Sequence, residues 1–502
     1  MRITLAYRGR YLVRQALELE SLSAVLQSAG HAVSMVYDPG TFGVTDNVVR
    51  LPALDKMLTS PRRTARRILA TEPDLVVLSV LPQTREYWAE TVRLMGRSRA
   101  APLAATGLLP TLCPEAALAS LPSALVVCGE TEAAVPALAE CIEAGRSLED
   151  VPNLWWEAGG QIRSNPPAPL VDLDALPLPD KDLFSPWAIP SYSYAAMVSR
   201  GCSHRCSYCE ETCMAGRFGP SFFRRKSVDR VLEELTRARN KYRFSEVIFK
   251  DSYLSGDERW LAALMEGYKK EVGLPFKCFA TIQGFTAKTA RLLAEGGCYC
   301  VEFGLQTWNE GLRRRVLNRT ETNEQAMVAF SACAEHGLWY DVDHLFNIPG
   351  ETVQDHQAGA LTYRSLSRLN RIKPHFLVYL PGAPIVDKAL SSGHLDAEAA
   401  AHIHLGMATD FYDQALADPE SARMTQGYAN LYKVLPALPK KAVEKLSRPR
   451  AASRLSRLPQ AAVAPVQALL ALRSADRRFF LYERSYPAQA ARTIWSALRN
   501  SG

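Results

Sequence analysis

The sequence lacks the features of several large classes of protein. No apolar run reaches the roughly 18–20 residues that a membrane-spanning helix needs. The segment from Met1 to Arg8 indicates a charge-flanked strand and not the apolar core of a secretory signal. The eleven cysteines are odd in number, and apart from those in one loop they are scattered along the chain. No disulfide framework is therefore expected. Internal repeats and low-complexity segments are absent as well. These absences point away from membrane-spanning, secreted and repeat proteins and predict a protein of the reducing cytoplasm.

Length and composition predict a soluble protein of two or three domains. The chain has 502 residues, too many for one ordinary core, and its 47% apolar and 22% charged residues are typical of globular proteins. The net charge of +7 arises in the tail, where fifteen Lys or Arg residues accompany three acidic ones between Arg423 and Arg499. This tail could be a solvated basic face, a helical lid over a substrate, a partly disordered segment or a peripheral contact with an anionic membrane. Nucleic acid is not expected as a partner, because few aromatic residues are interleaved with the basic ones.

The first 150 residues alternate between strand and helix patterns. The apolar run over 74–80 suits a strand that is buried on both faces of a parallel sheet. Strands are predicted over 2–7, 32–37, 74–80, 102–107 and 124–129, and a helix over 17–29. The series predicts a Rossmann-like, doubly wound α/β domain over residues 1–150, in which ligands bind beyond the carboxyl ends of the strands.

The rest of the chain divides into three parts. Residues 151–194 indicate a connector, with a hairpin around Gly159-Gly160 followed by a Pro-punctuated extended segment. Residues 195–390 alternate again, with strands predicted to begin near 195, 246, 276, 300, 340 and 375 and helices over 228–241, 287–295 and 323–336. In parallel βα barrels chemistry gathers at the strand carboxyl ends. Residues 391–502 predict a mostly helical, basic region, with helices over 397–415 and 488–498.

Three cysteines form one short loop after the strand near 195. Cys202, Cys206 and Cys209 have C-x3-C-x2-C spacing and follow Ser199-Arg200-Gly201. Three thiolates can wrap one [4Fe–4S] cluster and leave one iron open, since a fully ligated cubane normally has four Cys ligands. The alternatives are a zinc site with His204 as the fourth ligand, or incidental thiols. Cys213 extends the run and is expected to be an idle or buried thiol, with a fourth cluster ligand as the alternative.

This spacing resembles the signature of radical S-adenosylmethionine (SAM) enzymes. The resemblance implies an open (β/α)6 barrel in which the amino and carboxylate groups of SAM chelate the open iron, and one electron releases a 5′-deoxyadenosyl radical. Carried over by position, the implied SAM contacts are Tyr208 near adenine, Asp251 and Ser252 near the amino group, Glu302 and Gln306 near ribose or carboxylate, one of Arg314, Arg315 or Arg319 on the carboxylate, and Asn347 and Gly350 in the Asn-Ile-Pro-Gly-Glu loop. For any one of these arginines a surface role is the alternative, and for the loop it is an ordinary turn.

Two loops of the N-terminal domain resemble those of the cobalamin-binding domain fused to many radical SAM enzymes. The residues implied in cobalamin binding are Gly107, Pro110 and Thr111 in the first loop and Gly129 and Glu130 in the second. This sequence departs from the family's loop pattern at two positions: Thr106 replaces a Gly and Leu109 replaces a His. No Asp-x-His-x-x-Gly motif is present, so the resemblance implies cobalamin without a protein imidazole on cobalt. A Rossmann-like domain without a cofactor is the alternative, and the cysteines at 113, 128 and 141 are expected to be packing residues.

The resemblance implies a cobalamin-dependent radical SAM methyltransferase. Its radical would abstract a hydrogen from an unactivated carbon of a small-molecule or lipid-like substrate, which would then take a methyl group from methylcobalamin, remethylated by a second SAM. A flavodoxin or ferredoxin would be the reductant, and no catalytic residue is assigned. The first alternative is an enzyme of the same architecture that forms or rearranges a ring without net methylation. A methylthiotransferase and a non-catalytic metal-binding protein are further alternatives.

Overall fold

We describe the fold from a computed structural model, which covers residues 1–9, 16–40, 51–58, 60–96, 101–185, 193–407, 419–476, 487 and 490–495. Within these ranges no helix combines the length and the apolar character that crossing a membrane would require. Two sheets with their helices account for most of the described chain.

The first sheet has seven strands in the order β2-β1-β3-β4-β5-β6-β7. Its strands are β1 Arg2–Arg8, β2 Ala32–Asp38, β3 Leu75–Ser79, β4 Leu103–Thr106, β5 Ala124–Val127, β6 Leu154–Ala158 and β7 Gln161–Ser164. Strands β1 to β5 are parallel, and every residue of β3 is buried, as expected for a strand covered on both faces. The predicted doubly wound sheet is confirmed. The predicted hairpin forms β6 and β7, and it extends this sheet antiparallel to β5 although it was expected within a connector.

Seven helices accompany this sheet in the described ranges. They are α1 Leu17–Ser28, α2 Pro52–Leu58, α3 Pro61–Leu69, α4 Arg85–Met95, α5 Leu108–Leu112, α6 Pro114–Ser120 and α7 Thr131–Ala144. The short helix α5 starts at the loop that follows β4, and α7 starts at the loop that follows β5. Both loops therefore lie at the carboxyl edge of the sheet, where a ligand site was expected.

The second sheet has six parallel strands in the order β15-β14-β13-β12-β11-β8. Its strands, with the short antiparallel pair β9–β10, are β8 Ser193–Ala196, β9 Ser199–Arg200, β10 Arg224–Arg225, β11 Glu246–Phe249, β12 Phe276–Ala280, β13 Cys298–Gln306, β14 Trp339–Phe346 and β15 Leu369–Phe376. Spatial order follows chain order, and within residues 193–407 the outer strands β8 and β15 do not pair with each other. The predicted series of six βα units forming an open barrel is confirmed, although the last strand begins at Leu369 and not near 375.

The helices of this half follow the sequence patterns closely. They are α8 Glu210–Phe218, α9 Val228–Tyr242, α10 Glu258–Glu271, α11 Ala287–Glu295, α12 Glu310–Arg315, α13 Asn323–Glu335, α14 Val353–Ser365, α15 Ile385–Ser391 and α16 Ala397–His404. Helix α13 begins at a capping box in which the Thr322 hydroxyl accepts from the Gln325 amide and the Gln325 side chain accepts from the Thr322 amide. Of the predicted helix over 397–415, residues 408–415 lie outside the described residues.

The C-terminal region is helical, as predicted. Its helices are α17 Pro419–Val434, α18 Lys440–Leu446, α19 Pro449–Leu455 and α20 Gln460–Arg473. The Arg473 guanidinium donates to the Leu369 carbonyl oxygen over 2.9 Å, and Arg371 pairs with Asp476. Leu369 is the first residue of β15, so α20 packs at the amino ends of the barrel strands. This position is opposite the carboxyl-end site, and α20 is therefore not a lid over it. The predicted helix over 488–498 lies partly outside the described residues.

Candidate active site

The cysteine loop leaves the barrel at the carboxyl end of β8 and is fixed at both sides. Gly201 has a φ of +83°, and a Cβ there would lie 2.6 Å from the Phe222 carbonyl oxygen, so a larger residue would displace backbone. The Ser207 amide donates to the Leu317 carbonyl oxygen at 2.9 Å, and the Ser207 carbonyl oxygen accepts from the Ile385 amide at 2.9 Å. The loop is thus held against the segments that follow β13 and β15.

The three thiols suit a cluster better than a single ion. Cys206 is buried, and burial raises the pKa of Cys202 to about 11 and the pKa of Cys209 above its usual range, so stable thiolates there need nearby positive charge such as iron. In the described chain, the only group of three His, Cys or carboxylate ligand atoms close enough to hold one ion lies elsewhere. A cubane places its ligands on separate irons, which fits thiols that do not converge on one point. The Cys213 thiol lies 3.8 Å from the Cys209 carbonyl oxygen, to which it can donate a weak hydrogen bond.

Arg319 joins the cysteine loop to the end of β13. Its Nε donates to Glu321 Oε1 at 2.5 Å and its Nη2 to the Gly304 carbonyl oxygen at 2.6 Å. Its Nη1 lies 3.4 Å from Cys206 Sγ and 3.5 Å from the Tyr208 hydroxyl. Of the three candidate arginines, Arg319 is therefore the one that lies beside Tyr208 and Cys206. A contact of Arg319 with a SAM carboxylate stays a prediction, as does the adenine contact of Tyr208.

Two non-glycine residues adopt left-handed backbone at the ends of neighbouring strands. Gln306 at the end of β13 has a φ of +73°, and Asn347 just after β14 has a φ of +64°. A Cβ at Gly304 would lie 2.8 Å from Gln306 Nε2, so the missing side chain makes room for the folded-back amide. Asn347 Oδ1 is buried without a hydrogen-bond partner. Strained backbone and unpaired polar atoms concentrate at functional sites, so both positions suit ligand contact.

Asp251, after β11, holds the segment that leads into the cysteine loop. Its Oδ1 accepts from the Val198 amide at 2.9 Å and from the Ser199 amide and hydroxyl at 2.5 and 2.6 Å. Its Oδ2 is buried without a hydrogen-bond partner, and burial raises the pKa of Asp251 to about 6. Ser252 donates to Glu211 Oε1 at 3.1 Å. A contact of either residue with the SAM amino group stays a prediction, and Oδ2 is the atom left to make it.

The N-terminal strand-end loops contact helix α8, which directly follows the cysteine loop. Arg217 Nη1 donates to the Thr111 carbonyl oxygen at 2.7 Å, and a Cβ at Gly129 would overlap the Phe218 ring. The Thr111 hydroxyl accepts from the Gly129 amide at 2.9 Å, which links the two loops, and Pro110 lies buried between them. Gly107 has a φ of +98° and approaches the backbone of Val80. A ligand at this edge would therefore lie beside the cysteine loop.

Glu130 makes ion pairs between the two halves of the chain. Its oxygens accept from Arg200 Nη1 at 3.1 Å, from both Nη atoms of Arg224, and from the Val171 amide at 3.0 Å. Burial raises the pKa of Glu130, but Arg224 and Arg200 outweigh this and hold it below its usual value. A contact of Glu130 with cobalamin stays a prediction, although four hydrogen bonds already use its acceptor positions.

Comparison with known proteins identifies the second half. The profile of the Radical SAM superfamily matches residues 197–358. The chain carries a radical SAM domain. It is 27% identical over 259 residues to an uncharacterized methyltransferase of Pyrococcus horikoshii, covering 49% of this chain and 54% of that protein. It is 24% identical over 227 residues to the cytidylyl-2-hydroxyethylphosphonate methyltransferase of Streptomyces wedmorensis, covering 43% of this chain and 40% of that protein. The chain thus spans about half the length of the curated relatives it matches.

Two solved structures share the fold beyond the radical SAM domain. The radical SAM methyltransferase TsrM of Kitasatospora setae, solved with tryptophan and a SAM analogue, has a TM-score of 0.62 at 18% identity over 79% of this chain and 77% of its own. The cobalamin-dependent radical SAM enzyme OxsB, solved with aqua-cobalamin and SAM, has a TM-score of 0.67 at 12% identity over 100% of this chain and 81% of its own. The fold class and the family resemblance drawn from the sequence are confirmed.

The interior of the radical SAM barrel carries charged residues, of which sequence reasoning singled out Glu302 alone. They alternate along adjacent strands: Lys277 on β12, Glu302 on β13, Asp341 and Asp343 on β14, and Arg371, Lys373 and His375 on β15. The intervening residues, such as Phe303 and Tyr340, pack against Phe330 of α13, so the charged set faces inwards. The signal was present in the sequence as titratable residues at every second position of two neighbouring strands, β14 and β15.

The interior charges are paired in two layers. Near the strand amino ends, Lys277 pairs with Asp341, and both side chains are fully buried. Nearer the carboxyl ends, Lys373 Nζ lies 2.5 Å from Glu302 Oε2, and His375 Nε2 lies 3.3 Å from Asp343 Oδ1. The His375 side chain is 52% exposed. Glu302, expected to contact ribose or carboxylate, thus belongs to the charged layer near the strand carboxyl ends. This layer is accessible to a ligand.

Proposed function

We propose that this chain is a cobalamin-dependent radical SAM methyltransferase that methylates an unactivated carbon of a small polar molecule. The observation that carries the proposal is the contact between two candidate cofactor sites. The cysteine loop stands at the barrel mouth, and helix α8, which continues from it, packs on the strand-end loops of the first sheet through Arg217 and Phe218. A radical generated at one site and a methyl group held at the other would meet the same substrate.

The residues present have distinct roles in this proposal. Cys202, Cys206 and Cys209 would hold the cluster, while Tyr208, Asp251, Ser252, Gln306, Arg319, Asn347 and Gly350 would surround SAM, and Gly107, Pro110, Thr111 and Gly129 would lie against cobalamin. When bound, the cluster with SAM supplies a 5′-deoxyadenosyl radical, and cobalamin supplies the methyl group. Arg319 orients the loop by donating toward Cys206 Sγ while its other nitrogens are fixed by Glu321 and Gly304. Hydrogen bonds to cluster sulfurs are one of the means by which a protein sets reduction potential.

The relatives support the type of chemistry. The two curated relatives are named methyltransferases, and TsrM was also solved with cobalamin and a [4Fe–4S] cluster. OxsB, a cobalamin-dependent SAM radical enzyme, shares the fold over the whole of this chain. This second likeness keeps a cobalamin-dependent radical reaction without net methylation as the other candidate function.

The barrel interior supports a polar substrate over a lipid-like one. Lys373, Glu302, Asp343 and His375 line the wall toward the strand carboxyl ends. Placing a long apolar chain against these charges would desolvate them without new partners, which is costly. A substrate with its own charged or hydrogen-bonding groups would instead replace the lost water. The electron needed for SAM cleavage would come from a flavodoxin or ferredoxin.

The test is a product balance under strictly anaerobic conditions. The reconstituted chain is incubated with methyl-labelled SAM, reductant, cobalamin and small-molecule extracts fractionated by polarity. We expect 5′-deoxyadenosine and S-adenosylhomocysteine in equal amounts, with the label in a polar product. Replacing Cys202, Cys206 and Cys209 with Ala should abolish iron binding and both nucleoside products, whereas the matched control Cys213→Ala should retain them.

The outcomes separate the candidate functions. Deoxyadenosine without S-adenosylhomocysteine or a mass gain would favour the radical reaction without methylation. A normal iron content in the triple variant would refute the cluster assignment. Label found only in apolar fractions would refute the polar substrate.

A further inference from the structure

Three potential metal ligands converge on the outer face of the radical SAM barrel. They are His344 on β14, Glu351 in the loop after β14, and His356 in the first turn of α14. One ligand atom from each lies within 4.8 Å of the other two. His344 is 1% exposed, and the side chains of Glu351 and His356 are 4% and 6% exposed, so the group is closed to bulk water.

The atoms that face one another have no hydrogen-bond partners. His344 Nε2, Glu351 Oε1 and His356 Nδ1 are all buried and unpaired, and the separation of Glu351 Oε1 from His356 Nδ1, 3.7 Å, is too long for a hydrogen bond. Buried polar atoms without a partner are rare in folded proteins. Three of them at one point, all from residue types that bind metals, indicate a missing central partner.

We propose that His344, Glu351 and His356 bind one divalent metal ion, with Zn²⁺ as the ion that two imidazoles and one carboxylate favour. In tetrahedral zinc sites with bonds near 2.1 Å, the ligand atoms lie about 3.4 Å apart. Small side-chain rotations that move the ligand atoms by about an ångström would therefore complete the site. Three protein ligands leave the fourth position to a water molecule.

The surroundings of the three residues are those of a metal site. The Tyr363 hydroxyl lies 3.0 Å from His344 Nδ1, where it can accept the ring proton and leave Nε2 free to bind the ion. Phe346, Tyr428 and Tyr432 pack against the two imidazoles, with ring centroids 4.8–5.1 Å from those of the imidazoles. An apolar shell excludes water and strengthens the attraction between ion and ligands.

The ion would fix the loop that carries two of the predicted SAM contacts. Asn347 and Gly350 both have left-handed backbone and lie between His344 and Glu351 in the chain. Bonds from His344 on the strand, Glu351 in the loop and His356 on the helix to one ion would hold the loop in this conformation. The role is structural and is separate from the cluster, because none of the three ligands belongs to the cysteine loop.

The experiment measures zinc and iron together in the purified full-length chain and in three variants. Because an empty cysteine loop can itself take up zinc, the first variant replaces Cys202, Cys206 and Cys209 with Ala. The second adds His356→Gln to that cysteine-free chain, and the third instead adds the matched control His402→Gln, an exposed histidine on α16. Each protein is stripped with a chelator, reloaded with zinc and desalted, and its thermal unfolding is recorded with and without the metal.

We expect about one zinc per chain in the cysteine variant and in His402→Gln, a several-fold loss in His356→Gln, and a higher Tm with zinc than without it. Cobalt in place of zinc should give the visible absorption of a four-coordinate ion. Zinc that disappears with the cysteines, or zinc that survives His356→Gln in the cysteine-free chain, would overturn the proposal, as would a chain that holds no zinc or cobalt and whose Tm does not respond. Loss of iron or of SAM cleavage in the cysteine variant bears on the proposed function alone.

Discussion

The ion pairs of Glu130 allow a quantitative test of how the two halves of the chain are joined. The perturbation is Glu130→Gln, which keeps the shape of the side chain and removes its charge. The side chains of Glu130, Arg200 and Arg224 are 13%, 16% and 19% exposed. Removing one partner of a buried pair costs about 3–5 kcal/mol, and this residual exposure places the loss near the lower end, about 3 kcal/mol. Arg200 retains its pair with Glu132, so Arg224 carries most of the loss.

The assay is thermal unfolding of the cofactor-free chain, which separates this role from cobalamin binding. For a cooperative unit of 150–250 residues, a loss of 3 kcal/mol lowers the Tm by roughly 6–12 °C. The matched control is Glu149→Gln, whose partner Arg163 lies 3.4 Å away and whose side chain is 66% exposed. A pair of that kind contributes little, so its Tm should change by about 2 °C or less.

A Tm for Glu130→Gln within the shift of the control would refute the reasoning. The same variant reports on the predicted cofactor role. Normal cobalamin retention together with the lower Tm would assign Glu130 to the joint between the halves, whereas loss of cobalamin at an unchanged Tm would restore it as a direct contact.

Three further predictions follow from other parts of the structure. Cobalamin should bind with its own base displaced and with no histidine on cobalt, because the only His of the first 200 residues, His31, lies 3.4 Å from the Met1 amino group, away from the strand-end loops. The cob(II)alamin form should therefore show no nitrogen superhyperfine splitting in electron paramagnetic resonance, and such splitting would contradict this. Burial raises the pKa of Glu20 from its ordinary 4.5 to about 7, although Lys181 opposes the shift. The protonated Glu20 carboxyl therefore stabilises the fold fully below about pH 4.5. This contribution, about 3 kcal/mol in all, is lost as the pH rises through 7. Thermal unfolding across this range should show a steeper decline for the wild type than for Glu20→Gln, and parallel curves would count against it. The basic tail should bind anionic but not neutral vesicles in flotation, with loss at high salt, and absence of binding at low salt would remove the membrane contact.

Local patterns predicted most of the fold. Continuous apolar runs such as Leu75–Ser79 marked the buried parallel strands, and the helix predicted over 323–336 matches α13 to within one residue. The hairpin around Gly159-Gly160 was also correctly predicted, but its position was not. The register that pairs Val126 with Trp155 depends on the course of the chain between the strands, which no local pattern encodes.

The candidate site was only partly predictable for a similar reason. The cysteine loop is contiguous, so its spacing alone indicated its chemistry. Apart from Glu302, the charged barrel interior was missed because each strand, taken singly, has the alternation of a half-exposed strand; Asp341 and Asp343 become interior only when β13 and β15 flank them. The partners of Glu130 lie 70 and 94 positions away. Pairings of that length are fixed by tertiary structure.

Helix α8 has a consequence for how such chains can be recombined. It begins directly at Cys209 and ends on the strand-end loops of the first sheet, where Phe218 fills the space over Gly129. The surface that contacts the N-terminal half is therefore supplied by a helix of the radical SAM half. A chimera that exchanges residues 1–150 alone would set a foreign loop against Phe218 and Arg217. A graft whose boundary also transfers α8 would carry both sides of the joint, so the exchangeable unit of this architecture is discontinuous in sequence.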